Sequence, residues 1–330
     1  MNIVDLHCDT LSEVLKQKRN GEHYNLYQRD GHLDIVRMQE SGYRVQCFAA
    51  FVNLKKVVNP YQRGKTLVQL YKQLCAEYSP YIAPVYHYSD IFNNQMHGLM
   101  SAILTIEEGG VLEGSLDKLR EFYENGVRMI TLTWNYPNEI GFPGCLEEVP
   151  IPDTPIGWKV TGEYPGLTKR GIEIVETMEE HHIAIDVSHL SDAGFWDVAA
   201  ITKKPFLASH SNARSICGHK RNLSDAQIRT IAERGGVIGL NYYADFLEDD
   251  PANVTMDSFI RHIKHIIHVG GADVLALGSD FDGIPTNPVL PHAGKLPDLF
   301  DAMEHSGILP SVIDKIQGEN ALRMLKEVLK

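Results

Sequence analysis

Histidines and acids recur where short apolar runs end. Asp5-Leu6-His7-Cys8-Asp9 closes the first run and Ile106-Glu107-Glu108-Gly109-Gly110 the third. Asp186-Val187-Ser188-His189 closes the fifth, Ala208-Ser209-His210-Ser211-Asn212 the sixth, and Gly278-Ser279-Asp280-Phe281-Asp282-Gly283 the eighth. His7 and Asp9, two apart in an extended segment, point to the same side and can grip one ion. Where such ends meet at one mouth, three His, one Glu and two Asp converge. Nitrogen and carboxylate donors without thiolates suit zinc, with manganese, iron or cobalt as alternatives. Six groups exceed what a single catalytic metal requires, whereas two metals bridged by one carboxylate use them naturally. A lone H-x-D is a weak signal. Recurrence at five places carries the reading, because burying so many charges without compensation is costly.

Other polar residues take a plainer reading. His262, His265 and His268 lie at i, i+3 and i+6 of one helix and are expected on its solvated face. His181-His182 ends a helix, where a cation suits the dipole. Cys8, between two ligand candidates, points the other way and is expected to pack in the core. Asp282 and Ser188 flank ligand positions and are candidates for orienting them. For Asp282, plain turn chemistry before Gly283 is an equal alternative. Tyr243, just past the seventh run, is expected to line the pocket.

The elements that must position these residues are legible in the hydrophobic pattern. Strands are expected at 2–6, 45–52, 101–106, 129–133, 183–187, 205–209, 237–241 and 274–277. Several are continuously apolar, as parallel strands buried on both faces are. Amphipathic segments lie between them. Ser115 caps one that ends at Gly126, another spans 167–181, Ser224 opens a third, and 255–268 forms a fourth. Eight strands each followed by a helix predict a (β/α)8 TIM-like barrel, whose strand C-termini converge on one mouth. An open doubly wound sheet is disfavoured, since no G-x-G-x-x-G follows any strand. Residues 135–166 break the rhythm with Pro137, Pro143, Pro150, Pro152, Pro155 and Pro165. A loop that long is expected to be a lid or binding loop beside the mouth. No linker or internal repeat divides the chain, so 1–330 is read as one domain.

Thirty-one Lys and Arg against 43 Asp and Glu give a net charge of −12. That argues against a nucleic-acid partner and an anionic membrane surface. Five scattered cysteines without a C-x-x-C pair fit a reducing compartment. The opening Met1-Asn2-Ile3-Val4-Asp5 carries no signal-peptide pattern, no apolar run approaches a membrane span, and the last residues lack a lipid-anchor tail. A cytoplasmic protein is expected, with a homodimer as the default assembly.

The motifs, taken together, resemble the renal (membrane) dipeptidase family of zinc peptidases in its soluble bacterial form. The resemblance runs nearly the whole chain. It covers the segments above together with Gly166-Leu167-Thr168, Lys220-Arg221-Asn222-Leu223 and the terminal Gly318-Glu319-Asn320-Ala321-Leu322-Arg323. It implies a metallo-dependent hydrolase barrel with two zinc ions: His7 and Asp9 on the first, His189 and His210 on the second, Glu107 bridging. Glu108 is a rival bridge because it directly precedes Gly109-Gly110; Glu107 keeps the family spacing to Leu116, Leu119 and Arg120. Asp280 matches the family's acid/base, and Arg221 the arginine that holds the substrate's terminal carboxylate. One departure stands out. Mammalian members carry a substrate-contacting histidine after the fourth strand, where this chain has Trp134, and Asn135 next door is the replacement donor for the oxyanion.

The function implied is hydrolysis of dipeptides, including L,D-dipeptides, through a metal-bridging hydroxide with Asp280 moving the proton. A second reading keeps the metals but takes another small amide, lactam or ester. A third, a non-catalytic metal-binding scaffold, predicts decay of a ligand or of Asp280, and the sequence shows none.

Overall fold

The structure, a computed structural model, describes residues 2–22, 24–145 and 165–330. All eight residues of Met100–Glu107 and all three of Ile3–Asp5 are buried, as a strand covered on both faces requires. The strands are β1 (Ile3–Asp5), β2 (Tyr43–Phe51), β3 (Ile82–Pro84), β4 (Met100–Glu107), β5 (Val127–Thr131), β6 (Ala184–Asp186), β7 (Ile238–Leu240) and β8 (Leu275–Leu277). Their pairing is parallel throughout, in the order β6-β5-β4-β2-β1-β8-β7.

The run at 205–209, expected as a strand, pairs only through two bridges, Asp186 with Leu207 and Ala208 with Ile238. Those bridges join β6 to β7 and close the ring, so this segment is the eighth stave. β3 was not expected. It pairs with Met100–Ala102, the stretch of β4 below the part that β5 engages, and so lies outside the ring. Three residues ending in Pro84 are too short for a periodicity signal.

Two packed layers hold the barrel. Inside it, Val4, Leu6, Val45, Cys47, Ile103 and Met129 meet Ala321, Met324, Leu325 and Val328 of the C-terminal helix Asn320–Val328. Outside it, strand residues such as Phe48, Ile106 and Ile130 pack on the surrounding helices, with Cys8 in that core as expected.

The expected caps form. Ser115 accepts from Lys118 N ahead of helix Leu116–Glu124, and Ser224 forms a capping box with Gln227 ahead of helix Asp225–Glu233. On helix Met256–Gly270 the expectation for His262 is corrected. It is fully buried, its ring nitrogens bonded to Ala213 N and Leu247 O, while His265 pairs with Asp225 and His268 is exposed. The histidine spacing placed one ring on the core side of an amphipathic helix. Within the expected loop 135–166, residues 146–164 lie outside the described residues; at its start, Gly144 N donates to His189 O at 2.7 Å. Among the described residues no helix is long and apolar enough to cross a membrane.

Candidate metal centre

Phe51, Glu107, Thr131 and Asp186 stand side by side in register across β2, β4, β5 and β6, at the C-terminal rim. Glu107 is the rim residue that reaches the axis. Its Oε2 lies 3.4 Å from His7 Nε2, and its Oε1 lies 3.1 Å from His189 Nε2 and 3.7 Å from His210 Nε2. His7 Nε2 is also 3.4 Å from Asp9 Oδ2 and 4.0 Å from Asp280 Oδ1. Chain segments from five strand ends therefore meet around one carboxylate. The two oxygens of that carboxylate divide the cluster into a His7/Asp9 side and a His189/His210 side.

Glu108 does not share this space. Its carboxylate accepts from Gly110 N, Asn138 Nδ2 and Trp134 N, all away from the imidazoles. The backbone turns it aside with φ of +96°, a left-handed conformation unusual for glutamate. His189, Asp280 and Asp282 also have positive φ, and such strain tends to gather at functional sites. At Gly283 any Cβ would collide with Asp9 Oδ2 and Asp280 Oδ1, so this glycine leaves the carboxylates their room.

The hydrogen bonds fix the imidazole tautomers. Asp186 Oδ2 takes the Ser209 hydroxyl proton at 2.5 Å, so Ser209 Oγ accepts from His210 Nδ1 at 2.7 Å. Asn135 Oδ1 accepts from His189 Nδ1 at 2.9 Å. Both Nε2 atoms then carry lone pairs, yet they face each other at 3.0 Å. His7 Nε2 and Asp9 Oδ1 are buried with no hydrogen-bond partner. Burial drives the His189 and His210 pKa values well below the usual imidazole range, which keeps both rings neutral. Burial also raises the Glu107 and Asp280 carboxyls, with Asp9's charge adding to the effect. At His7 burial lowers the pKa, but the Glu107 and Asp9 carboxylates outweigh it and the net shift is strongly upward.

Opposed lone pairs, orphaned buried polar atoms and crowded carboxylates are costly alone and are relieved by cations. The set His7, Glu107 and His210, and the set His7, Asp9 and Asp280, each offer ligand atoms within 4.8 Å of one another. Nitrogen and oxygen donors of this kind fit a divalent transition metal, zinc among them.

The expected substrate contacts lie around a cavity of about 310 Å³ whose wall includes Asp9, Glu107, His189, Arg221, Asp280 and Tyr243. Arg221 is buried, its Nη atoms donating to Ser211 Oγ (3.4 Å) and His210 O (3.2 Å) while its Nε is unpartnered. Burial lowers its pKa. Asn135 lines the same cavity, and its carbonyl oxygen accepts from His189 Nδ1, a contact the sequence did not suggest.

Asp282 does not orient a ligand. It holds Arg29 at 2.9 Å and accepts from Thr10 Oγ1 and His32 N. Ser188 does act on a ligand candidate, through its Oγ accepting from His210 N. Sequence reasoning missed the groups behind the cluster: Asp5 and Asp186, Ser279 and Ser209, and Asn241, whose Nδ2 donates to Asp280 Oδ2 at 3.0 Å. Each serine stands immediately before a ligand or acid candidate, and that adjacency was the available signal.

A profile of the membrane dipeptidase family (peptidase family M19) matches residues 1–330. An uncharacterized dipeptidase of Schizosaccharomyces pombe is 31% identical over 347 residues, covering 98% of this chain and 80% of that protein. The solved structure of a metallopeptidase named dipeptidase AC superposes with a TM-score of 0.87 at 28% identity, covering 100% of this chain and 99% of the other. A metallopeptidase from Rhodobacter sphaeroides, solved with a phosphinate mimic of the dipeptide L-Ala-D-Ala, gives 0.87 at 27% identity with 99% of each chain covered. Matched along its whole length, the chain belongs to the membrane dipeptidases of peptidase family M19, a family of metallopeptidases.

Proposed function

We propose that this metallopeptidase hydrolyses dipeptides at a two-cation centre, zinc by its donor chemistry. His7 and Asp9 would hold one ion, His189 and His210 the other, and Glu107 would bridge them. The observation that carries this reading is the division of Glu107's two oxygens between the two ligand groups. Such a cation pair, when bound, acidifies water and polarises a carbonyl.

The chain's own residues supply the rest. Asp280, steered by Asn241 on one oxygen, turns the other toward the cluster, 4.0 Å from His7 Nε2. There it takes the proton of the attacking water. As the C–N bond breaks, it passes that proton to the leaving amine nitrogen. Arg221 has donors free for the C-terminal carboxylate of the substrate, and its planar fork sets which peptide bond lies over the centre. Substrates with one residue beyond the scissile bond fit this anchor. The L-Ala-D-Ala mimic held by the Rhodobacter protein supports extending the reading to L,D-dipeptides. All five cysteines are free, which supports a cytoplasmic setting.

Metal analysis with an amine-release assay on L,L- and L,D-dipeptides tests the reading. About two equivalents of metal and turnover are expected, with kcat reduced by at least about 100-fold in Asp280→Asn. A fully loaded Asp280→Asn variant that works as well as the wild type would remove Asp280 from the mechanism. Loading by a single equivalent with full turnover would remove the second ion.

A further inference from the structure

The cavity has two aromatic walls, on opposite sides of the barrel. In the closed ring β4 stands four staves from β7, directly across the mouth. On the β4 side, Phe51 ends β2 and Trp134 follows β5; their rings meet edge-on at 4.9 Å, and both line the cavity. Trp134 is also braced. Its ring meets Tyr136 edge-on at 5.6 Å, and its backbone N–H is held by buried Glu108 at 3.1 Å. On the β7 side, Tyr243 and Phe246 meet at 4.9 Å, and Phe246 lies 5.3 Å under the Arg221 guanidinium. Phe246 is therefore committed to the carboxylate anchor, whereas Phe51 and Trp134 line the cavity away from Arg221, with the Trp134 ring 6.2 Å from that of His189.

A dipeptide pinned at Arg221 must lay its scissile carbonyl over the Glu107 cluster. Its N-terminal residue then reaches the far side, against Phe51 and Trp134. Charge on that residue finds little to answer it. Apart from the cluster and Arg221, the charged side chains in the described wall are Glu13, Lys16 and Asp282. Glu13 pairs with Lys16 at 3.2 Å, and Asp282 with Arg29 at 2.9 Å.

Resting on the dipeptidase reading above, we propose that Phe51 and Trp134 select an apolar side chain, aromatic above all, on the N-terminal residue of the substrate. Edge-to-face packing on a braced pair rewards a flat ring, and a charged head there would be desolvated without a partner.

The test is kcat/KM of the metal-loaded enzyme on X-Ala dipeptides with X as Gly, Leu, Phe, Asp or Lys, beside an Ala-X series. Phe-Ala and Leu-Ala are expected to exceed the Gly, Asp and Lys substrates by at least about tenfold, the scale a hydrophobic pocket supplies. Trp134→Ala and Phe51→Ala should each compress the Phe-to-Gly ratio in the X-Ala series and leave the ratios of the Ala-X series in place. A flat X-Ala profile in an active enzyme overturns this inference alone, as does a preference that survives both substitutions or moves to the Ala-X series. No turnover of any dipeptide by the loaded enzyme overturns the dipeptidase reading and this inference with it.

Discussion

Two strand ends on opposite sides of the barrel are built alike. β1 and β6 stand four staves apart, and each ends in a buried aspartate, Asp5 and Asp186. Asp5 pairs across to Leu277 and Asp186 to Leu207, and two residues beyond each partner is a serine, Ser279 or Ser209. Each aspartate's Oδ1 accepts from the amide two residues on (His7 N at 3.3 Å, Ser188 N at 2.9 Å) and from the serine's amide at 2.9 Å. Each Oδ2 takes the serine hydroxyl, at 2.6 Å for Ser279 and 2.5 Å for Ser209. The serines differ in what stands behind them. Ser209 Oγ accepts from the His210 ring, whereas Ser279 Oγ accepts from a backbone amide, Phe281 N at 3.2 Å. One fold device thus serves two ends. On the β1 side it fastens two strands and holds the backbone of His7 without touching its ring, and on the β6 side it also sets the tautomer of a proposed metal ligand.

Exchanging each aspartate for asparagine puts this difference under the most strain. In Asp186→Asn the new amide can donate to Ser209 Oγ, which sends the hydroxyl proton toward His210 Nδ1. The ring must then carry its proton on Nε2, the wrong side for a cation. Zinc affinity of the His189/His210 side should fall by about 100-fold, the upper range for such supporting contacts. In Asp5→Asn the Ser279 hydroxyl can turn instead to His7 O, 3.2 Å away, and no ring lies downstream. Its zinc affinity should stay within about threefold of wild type. Titration of the metal-free proteins with a competing chelator reads both, and equal losses would erase the distinction between the two ends.

How much of this could be read from the sequence differs between the cluster and its supports. His7, Asp9, Glu107, His189, His210 and Asp280 were legible because each follows an apolar strand, and a parallel barrel gathers such ends at one mouth. The two staples were not. The chain shows no internal repeat, and Asp5 and Asp186 look like ordinary strand residues until register pairs them with Leu277 and Leu207. The same holds for the ring closure at 205–209, where two bridges replace a ladder, and for β3, which pairs only below β5. Asp282 carried the correct residue type at the correct place, but a partner far in sequence, Arg29, claims its carboxylate. Long-range hydrogen-bond competition of this kind has no local signature. His262 failed for the opposite reason: helical spacing gave the face, but not which face was buried.

Removing the serine hydroxyls tests the staples one atom further out. Ser209→Ala leaves His210 Nδ1 without its acceptor, so the ring loses orientation but is not forced into the wrong tautomer. Zinc affinity should drop by about tenfold, the lower end for lost supporting contacts. Ser279→Ala should leave affinity unchanged and register only as stability, about 1 kcal/mol for one buried hydrogen bond, read from the urea midpoint. The two variants should therefore separate cleanly, one in the metal titration and the other in the denaturation curve. A tenfold affinity loss in Ser279→Ala would mean that the β1 staple also acts on the metal centre.

The smallest effect concerns a contact that only one end possesses. Thr131, the register partner of Asp186 on β5, adds its hydroxyl to Asp186 Oδ2 at 2.5 Å, whereas the register partner of Asp5 on β2 is Gln46, which brings no hydroxyl. Thr131→Val keeps the β-branched shape of a buried strand residue and removes that single donor. The Asp186 carboxylate still holds Ser209 by both amide and hydroxyl, so the proton on Ser209 keeps its direction and His210 keeps its tautomer. The expected result is a loss of about 1 kcal/mol in unfolding free energy with no change in zinc affinity. The opposite pattern, unchanged stability with weakened zinc binding, would show that Asp186 needs both hydroxyls to hold Ser209 in place. The division of labour between fastening strands and aiming a ligand would then run through β5 as well as through the 205–209 stave.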